Sequence, residues 1–188
     1  LSSFGHVGLF AEQAENWDWI ARRVRAAGRP LRVLNLFAYT GGSTLAAAAE
    51  GAEVVHLDAV QNTVRWARGN AELSGLEQAP IRWIAEDALK FVRREVRRGN
   101  RYDAVIMDPP SYGHGTKGQI WRLTRHLPRL LDSTAEVLSD DPVFFLLTAH
   151  TPKFDAARLR EMVAEAFSAL PLGRFEELPL FLRDTAGR

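Results

Sequence analysis

Cysteine is absent from the 188 residues of this chain. Disulfide bonds, thiolate metal ligands and a cysteine nucleophile are therefore excluded within these residues. The sequence also lacks any apolar run near the ~20 residues that a membrane-spanning helix requires, and it shows no signal peptide. These absences favour a cytoplasmic protein that has no membrane contact.

A large net charge is missing as well. The chain carries 24 Lys+Arg and 23 Asp+Glu, and the resulting net charge of +1 excludes neither nucleic acid nor a small molecule as substrate. Its arginines are nevertheless concentrated in two stretches, which comprise Arg22, Arg23, Arg25, Arg29 and Arg32, and then Arg93, Arg94, Arg97, Arg98 and Arg101. Such stretches are most often solvated helix faces, and the alternative is a surface that binds phosphate groups.

Short apolar runs alternate with longer helical patterns from residue 32 onward. Strands are predicted over residues 32–37, 53–57, 81–85, 104–107, 143–148 and, as a sixth strand, 174–182. Helices are predicted over residues 13–27, 43–50, 61–73, 88–98, 119–138 and 156–170. This alternation predicts an α/β fold, a Rossmann-like doubly wound sheet whose mostly parallel strands carry helices on both faces.

Functional residues are expected just after the strands, because open α/β sheets bind ligands beyond the carboxyl ends of their strands. Gly41 and Gly42 follow the first strand, where they either form a tight turn or let the backbone approach an anionic group. Asp58 follows the second strand and is placed to accept the hydroxyls of a ribose. Asp87 follows the third strand, either as a helix cap or as an acceptor for an adenine amino group. The set favours an adenosine cofactor over a nicotinamide dinucleotide, because G-x-G-x-x-G is absent.

The fourth strand ends in an unusual sequence, YDAVIMDPPSYG, which occupies residues 102–113. Together with VLNLFAYTGGSTLAAAAEGAEVVHLD, NAELSGL and AEDALKFV, it resembles the class I S-adenosylmethionine-dependent methyltransferases. The resemblance covers nearly the whole chain and is closest to the branch of ribosomal RNA large-subunit methyltransferases. It implies an N-terminal extension, residues 1–31, that packs on a methyltransferase catalytic domain, residues 32–188.

The resemblance implies a site for S-adenosylmethionine and no metal. The residues that it assigns to cofactor binding are Phe10, Gln13, Phe37, Ala38, Tyr39, Thr40, Gly41, Gly42, Asp58, Ala59, Asp87, Ala88 and Asp108. The loop of residues 37–42 would hold the methionine part, Asp58 the ribose and Asp87 the adenine amine.

Catalysis is assigned by the same resemblance to Asp108, Pro109, Pro110 and Tyr112, which are similar to an (Asn/Asp)-Pro-Pro-aromatic motif with Ser111 inserted. An exocyclic amine on an aromatic ring is a poor nucleophile because its lone pair is delocalised. Hydrogen bonds from its N–H groups to the Asp108 carboxylate and the Pro109 carbonyl would favour a pyramidal nitrogen, and the prolines would keep both acceptors rigid. Tyr112 would stack on the planar target. The alternative is a proline-rich turn that only closes a strand.

Substrate contacts are expected from Ser111, Tyr112, Lys117 and His150. Some relatives methylate a pyrimidine carbon through a cysteine that follows the fifth strand, but residues 147–151 of this chain read LTAHT. Covalent methylation at C5 is therefore excluded for these residues. His150 either accepts a proton from the target or is only packed and hydrogen-bonded at the strand end.

The sequence thus predicts an S-adenosylmethionine-dependent methyltransferase that acts on a base in RNA, ribosomal RNA above all. The alternatives are methylation of a protein amide or a small molecule, and a cofactor-binding module without catalysis. A homodimer is a further expectation. The start at Leu1 indicates a piece of a longer protein, and the last strand of the sheet is expected to be cut short after Arg183.

Overall fold

The computed structural model describes residues 8–114, 120–151, 154–170, 173–178 and 180. Its strands are β1 (Arg32–Leu36), β2 (Glu53–Asp58), β3 (Ile81–Ala85), β4 (Ala104–Met107), β5 (Tyr112–His114), β6 (Ile120–Arg122) and β7 (Phe144–Leu147). Five of them form a parallel sheet in the order β3-β2-β1-β4-β7. The other two, β5 and β6, pair as a separate antiparallel ribbon.

Helices connect the strands of the parallel sheet. They are α1 (Ala14–Ala26), α2 (Gly42–Ala49), α3 (Gln61–Leu73), α4 (Ala88–Arg98), α5 (Leu123–Val137) and α6 (Ala156–Ala166), with a 3-10 turn at Ala11–Gln13. The predicted doubly wound α/β sheet is therefore confirmed. Because the strands are parallel, they all end at one edge, here called the carboxyl edge, and begin at the opposite amino edge. The strand order reverses between β1 and β4, the position where such sheets bind their ligands.

The core lies on both faces of the sheet, as the two-sided apolar strands require. Val33 of β1 packs in one cluster with Ile20 of α1, whereas the next residue, Leu34, packs in the other cluster with Phe91 of α4 and Leu127 of α5. Each such fully buried side chain contributes about 1.5–3 kcal/mol to folding. The period of two along β1 thus places helices on both sides of the sheet.

A buried polar chain joins β1, α2 and β2. Asn35 Nδ2 donates to Thr44 Oγ1 at 2.9 Å, and Thr44 Oγ1 lies 2.9 Å from His56 Nδ1. All three side chains are buried, and burial lowers the pKa of His56 to about 3. His56 therefore stays neutral and positions the start of α2 beneath the carboxyl edge.

Two predicted helices differ from the structure. Residues 120–122 of the predicted 119–138 helix form β6 instead, because Ile120 and Trp121 favour strand geometry and pair with β5. The predicted 156–170 helix ends at Ala166 and continues as a turn. A residue before proline is disfavoured in helical conformation, so Leu170, which precedes Pro171 in the sequence, could not have extended it.

The sixth predicted strand, 174–182, is wrong for residues 174–178, which form no strand. Their backbone pairs with no described strand, and Glu176 instead accepts hydrogen bonds from Trp19 Nε1 at 3.1 Å and Arg23 Nη2 at 2.7 Å. The rest of that prediction, apart from residue 180, lies outside the described residues. Within the described part of the chain, none of the helices has the length and apolar character to cross a membrane.

Candidate active site

The loop after β1 has an uncommon backbone. Phe37 and Tyr39 have φ values of 57° and 48°, and Gly41 follows with φ 98°. Residues other than glycine rarely adopt a positive φ, because each one in this conformation costs of order 1–3 kcal/mol. Such conformations are common at ligand sites. They favour ligand binding over a simple turn for this loop, which is predicted to hold the methionine part of the cofactor.

Hydrogen bonds to three other elements fix this loop. The Ala38 N–H donates to the Leu57 carbonyl at 3.0 Å, and Thr40 Oγ1 donates to the Gly8 carbonyl at 2.5 Å. Asn70 of α3 donates to the Thr40 carbonyl at 2.9 Å. The strained conformation is therefore held from β2, from the N-terminal segment and from α3.

The two glycines of the loop have different roles. Gly41 supplies the left-handed conformation that begins α2. At Gly42, a Cβ atom would lie 2.6 Å from the indole of Trp17 on α1. The close approach at Gly42 is thus made by the indole of a partly buried tryptophan, while its backbone remains at the first turn of α2.

Asp58, at the end of β2, is held by backbone groups. Its Oδ2 accepts from the Tyr39 N–H at 3.1 Å and its Oδ1 accepts from the Val60 N–H at 2.9 Å. Burial raises the pKa of the Asp58 carboxyl, and backbone hydrogen bonds from Val60, Tyr39 and Ala59 oppose that rise. A carboxylate offers about four acceptor positions, so the three backbone donors leave one for a donor from another molecule. That position fits a ribose hydroxyl.

Asp87 is the N-cap of α4. Its Oδ1 accepts from the Lys90 N–H at 2.8 Å, and Ala88 begins the helix as a buried residue. The capping interpretation is therefore confirmed. The other oxygen, Oδ2, accepts no hydrogen bond from the described residues, so a donor such as an adenine amine has an acceptor there.

Asp108 follows β4 and receives donors from both ends of the chain. Gln13 Nε2 donates to its Oδ2 at 3.2 Å, and Thr148 Oγ1 donates to its Oδ1. His150 Nε2 lies 3.3 Å from the same Oδ1. Three side chains from two segments thus orient one half-exposed carboxylate, and Oδ2 retains a free acceptor position. The Pro109 carbonyl, beside it, accepts nothing from the described residues.

His150 is therefore bonded to Asp108, although half of its side chain is exposed. The hydrogen bond to Asp108 raises the pKa of His150 above its usual value, burial opposes this, and the charges of Asp108 and Glu12 raise it further. The structure thus shows the hydrogen bond at the strand end, and the role of His150 as a proton acceptor stays a prediction.

Gln13 owes its orientation to a neighbour on α1. Asn16 Nδ2 donates to Gln13 Oε1 at 2.7 Å, and both side chains are buried. Because the amide oxygen is occupied by Asn16, the amide nitrogen faces Asp108. The sequence assigned Gln13 to the cofactor pocket, and its described contact is with the predicted catalytic acid.

The ribbon of β5 and β6 holds the Pro-Pro turn. Trp121 Nε1 donates to the Pro110 carbonyl at 2.7 Å, and the indole lies 4.8 Å from the Phe37 ring. Ser111 Oγ shares a hydrogen bond with Thr151 Oγ1, and its carbonyl accepts from the Leu123 N–H at 3.1 Å. Sequence reasoning missed Trp121 because no local pattern links it to the turn.

Two exposed aromatic rings accompany the loop after β1 and the Pro-Pro turn. Phe10 is 39% exposed and its ring lies 5.6 Å from that of Tyr39, while Tyr112 is 51% exposed. Lys117 lies outside the described residues. Thr148, which sequence reasoning did not assign, follows β7 directly, so the rule that identified Asp58 could have found it.

The two arginine stretches run toward the amino edge, away from Asp108. Five of their members form ion pairs: Arg23 with Glu176, Arg25 with Glu50, Arg29 with Asp103, Arg94 with Glu86, and Arg98 with Glu95. Arg32 lies over the Tyr102 ring, and Arg101 donates to the Glu136 carbonyl. These contacts favour the solvated-face interpretation for most of both stretches. No group of three metal-ligating side chains occurs among the described residues.

Comparison with known proteins gives a family match. The sequence model of a family described as S-adenosylmethionine-dependent methyltransferase matches residues 2–185. A crystal structure of a SAM-dependent methyltransferase from Agrobacterium tumefaciens is 49% identical, with a TM-score of 0.85, over 88% of this chain and 53% of that one.

Two curated relatives carry more specific names. "Ribosomal RNA large subunit methyltransferase I" of Aeromonas salmonicida (strain A449) is 36% identical over 62% of this chain and 28% of its own length. "Ribosomal RNA large subunit methyltransferase K" of Neisseria meningitidis serogroup B is 33% identical over 77% of this chain and 40% of its own length. The chain thus spans less than half of either relative.

Proposed function

Because the chain belongs to the family of S-adenosylmethionine-dependent methyltransferases, we propose that it transfers a methyl group to a base in RNA, above all ribosomal RNA. The names of the two curated relatives support RNA as the substrate class. The observation that carries the proposal is the Asp108 carboxylate, held by Gln13, Thr148 and His150 at the carboxyl edge beside the loop of residues 37–41.

We propose that the cofactor lies along the loops after β1, β2 and β3. The predicted set of Phe10, Gln13, residues 37–42, Asp58, Ala59, Asp87 and Ala88 offers the groups it needs. Asp58 keeps an acceptor position for a ribose hydroxyl, and Asp87 Oδ2 suits the adenine amine. When bound, the sulfonium supplies an activated methyl group.

Asp108 and its turn would prepare the target nitrogen. One N–H of an exocyclic amine would donate to Asp108 Oδ2 and the other to the Pro109 carbonyl, leaving the lone pair free to attack. The Trp121–Pro110 hydrogen bond keeps this acceptor pair rigid. Correct alignment of this kind can supply about 7–11 kcal/mol of a barrier. A base in structured RNA must first leave its stack, and Tyr112 would then stack on it.

His150 would receive the proton that the nitrogen loses after attack. Its Nε2 lies 3.3 Å from Asp108 Oδ1 and donates there, so the acceptor would be Nδ1 of the neutral, half-exposed ring. Ser111 and Lys117 complete the proposed substrate contacts.

The wider expectations remain proposals. An RNA substrate in the ribosome places the protein in the cytoplasm, residues 1–31 form an extension of the catalytic domain 32–188, and neither a metal nor a membrane takes part. The predicted homodimer is tested by no described contact and stays a prediction.

The test is tritium transfer from labelled S-adenosylmethionine to ribosomal RNA. We expect labelled RNA with the unmodified chain and with the control Asp140→Ala, an exposed carboxylate in a loop. Asp108→Ala should abolish labelling while the protein stays folded. Folded protein that binds S-adenosylhomocysteine but labels no RNA would contradict the proposal. Labelling of a lysate whose RNA has been digested would favour a protein or small-molecule substrate instead.

A further inference from the structure

Three exposed arginines lie at the start of α5. Arg122, the last residue of β6, is the N-cap of the helix, and Arg125 and Arg129 follow within its first two turns. Arg125 and Arg129 are four residues apart and therefore lie on one side of the helix. The opposite side, with Leu123 and Leu127, is buried in the core. The three guanidinium groups therefore project from a helix that is firmly packed.

This face begins at the proposed catalytic turn. The Leu123 N–H donates to the Ser111 carbonyl, and Arg122 stands directly opposite Tyr112 in the ribbon. Residues paired across two strands project to the same side. The arginines thus start next to an exposed aromatic ring at the mouth of the site and continue away from it along α5.

None of the three arginines forms an ion pair with the part of the chain that the structure describes. Most arginines of α1 and α4, in contrast, have a carboxylate partner within 4 Å. The α5 guanidinium groups are available to an anion from another molecule.

The order of charges along α5 opposes the helix dipole. Helix stability favours acids near the N-terminus and bases near the C-terminus. α1 follows this rule, with Glu15 in its first turn and Arg23 in its last, and α4 has Arg97 in its last turn although no acid in its first. In α5 the arginines come first, and the exposed acids Asp132 and Glu136 come later. Helix stability therefore does not explain this arrangement.

We propose that Arg122, Arg125 and Arg129 form a stripe that binds the RNA backbone beside the nucleotide presented to Asp108. The inference rests on the proposed RNA substrate. Seven residues of helix span about 10 Å at 1.5 Å each, which corresponds to about three stacked nucleotides at roughly 3.4 Å per step. The stripe would hold phosphates while Tyr112 stacks on the base, the combination typical of single-stranded recognition.

The experiment compares two triple variants of the full chain. One carries Arg122→Ala, Arg125→Ala and Arg129→Ala. The control carries Arg22→Ala, Arg93→Ala and Arg97→Ala, which are equally exposed and have no ion pair with any described residue. Binding of a fluorescent single-stranded RNA of about a dozen nucleotides is measured by anisotropy between about 50 and 200 mM salt.

The stripe variant should bind more weakly, and the slope of log affinity against log salt should become shallower by about 2, since each single-strand phosphate contact contributes about 0.7. The control should keep the slope of the unmodified chain. Equal slopes for both variants, or no salt-dependent RNA binding by the unmodified chain, would contradict the proposed role of the stripe in RNA binding.

A charge reversal separates binding from structure. Arg125→Glu should lower RNA affinity and leave the melting temperature equal or higher, because an acid in the N-terminal half of α5 suits the dipole. A lower melting temperature with unchanged RNA affinity would assign Arg125 a structural role. Methyl transfer is measured in parallel: RNA binding through the stripe without any transfer supports the stripe and contradicts the proposed function.

Discussion

Strand β4 has an aspartate at each end, and the two carboxylates differ in their partners. Asp103, at the amino edge, accepts from the Arg32 N–H at 2.8 Å and pairs with Arg29 at 2.9 Å. Burial alone would raise the pKa of Asp103, but these bonds lower it below its usual value. Asp108, at the carboxyl edge, has an amide, a hydroxyl and an imidazole as partners. One acid is neutralised by a permanent charge, and the other is oriented without one.

The same contrast extends to the two edges as a whole. At the amino edge, the buried Glu95 accepts from Tyr102 at 2.8 Å and from Asn100 at 2.7 Å, a closed set of bonds. At the carboxyl edge, Asp58, Asp87 and Asp108 each keep an acceptor position for another molecule. The acids of the amino edge are therefore saturated by the chain's own groups, and those of the carboxyl edge are not.

Replacing each of the two aspartates by asparagine should give the largest effects, on activity in one variant and on stability in the other. Asp108→Asn replaces an acceptor oxygen by a donor, so kcat should fall at least about a hundredfold, as for one positioned transition-state hydrogen bond. Asp103→Asn should retain kcat and lower the free energy of unfolding by about 1–2 kcal/mol. Transfer assays and urea denaturation of both variants measure this. Similar losses of activity in the two would remove the distinction between the edges.

Removing one hydroxyl at the amino edge should cost stability alone. Tyr102→Phe deletes the donor to the buried Glu95 carboxylate, and a hydrogen bond to a charged group contributes about 1.5–3 kcal/mol. The free energy of unfolding from urea denaturation should fall by that amount, while kcat and KM of methyl transfer stay constant. A change in KM for the cofactor would show that the network reaches the site.

Adding a methyl group should distinguish two glycines. Gly42→Ala would force its Cβ to within 2.6 Å of Trp17, and such overpacking costs about 1–3 kcal/mol. Its matched control is Gly69→Ala in α3, where nothing lies within 4 Å and alanine should add up to about 1 kcal/mol of stability. Thermal melting gives both values. A stable Gly42→Ala would mean that the indole can move aside.

The smallest predicted effect concerns pH. Because the hydrogen bond to Asp108 raises the pKa of His150, the charged form is favoured in the folded chain. The stability it contributes is present below the usual pKa of about 6.5 and is lost as pH rises through the higher folded value. As a proton acceptor, His150 must be neutral. The pH profile of kcat should therefore rise with pH and have its midpoint above about 6.5.

Two variants test that assignment. Asp108→Asn should move the pKa of His150 downward in an NMR titration, since its largest cause is removed. His150→Gln should abolish the acid limb of the kcat profile and retain S-adenosylhomocysteine binding. An acid limb that persists in His150→Gln would assign it to another group.

Much of the fold followed from local patterns. The five sheet strands and α3 and α4 were predicted within a residue or two because each combines an apolar run with a turn signal at its end. Ile120 and Trp121 were misassigned because their strand depends on pairing with β5, a long-range contact that periodicity does not report. The predicted strand at 174–178 failed since the same apolar pattern suits a segment tied to α1 by Glu176.

The site was less predictable than the fold. Asp58, Asp87 and Asp108 were identified because the ends of parallel strands meet in space. Gln13 was assigned to the site, but its bond to Asp108 spans 95 residues and has no local signature. Trp121 is tied to the Pro110 carbonyl for a purely geometric reason, which a sequence pattern does not contain.

The hydrogen bond from Gln13 to Asp108 also affects how the protein can be dissected. A fragment that begins at residue 32 would keep every strand of the sheet, yet it would lack the amide that orients the acid and the indole that covers Gly42. Supplying residues 8–31 as a separate peptide should restore that orientation in trans. We therefore expect any minimal version of this chain that retains activity to include residues 8–31.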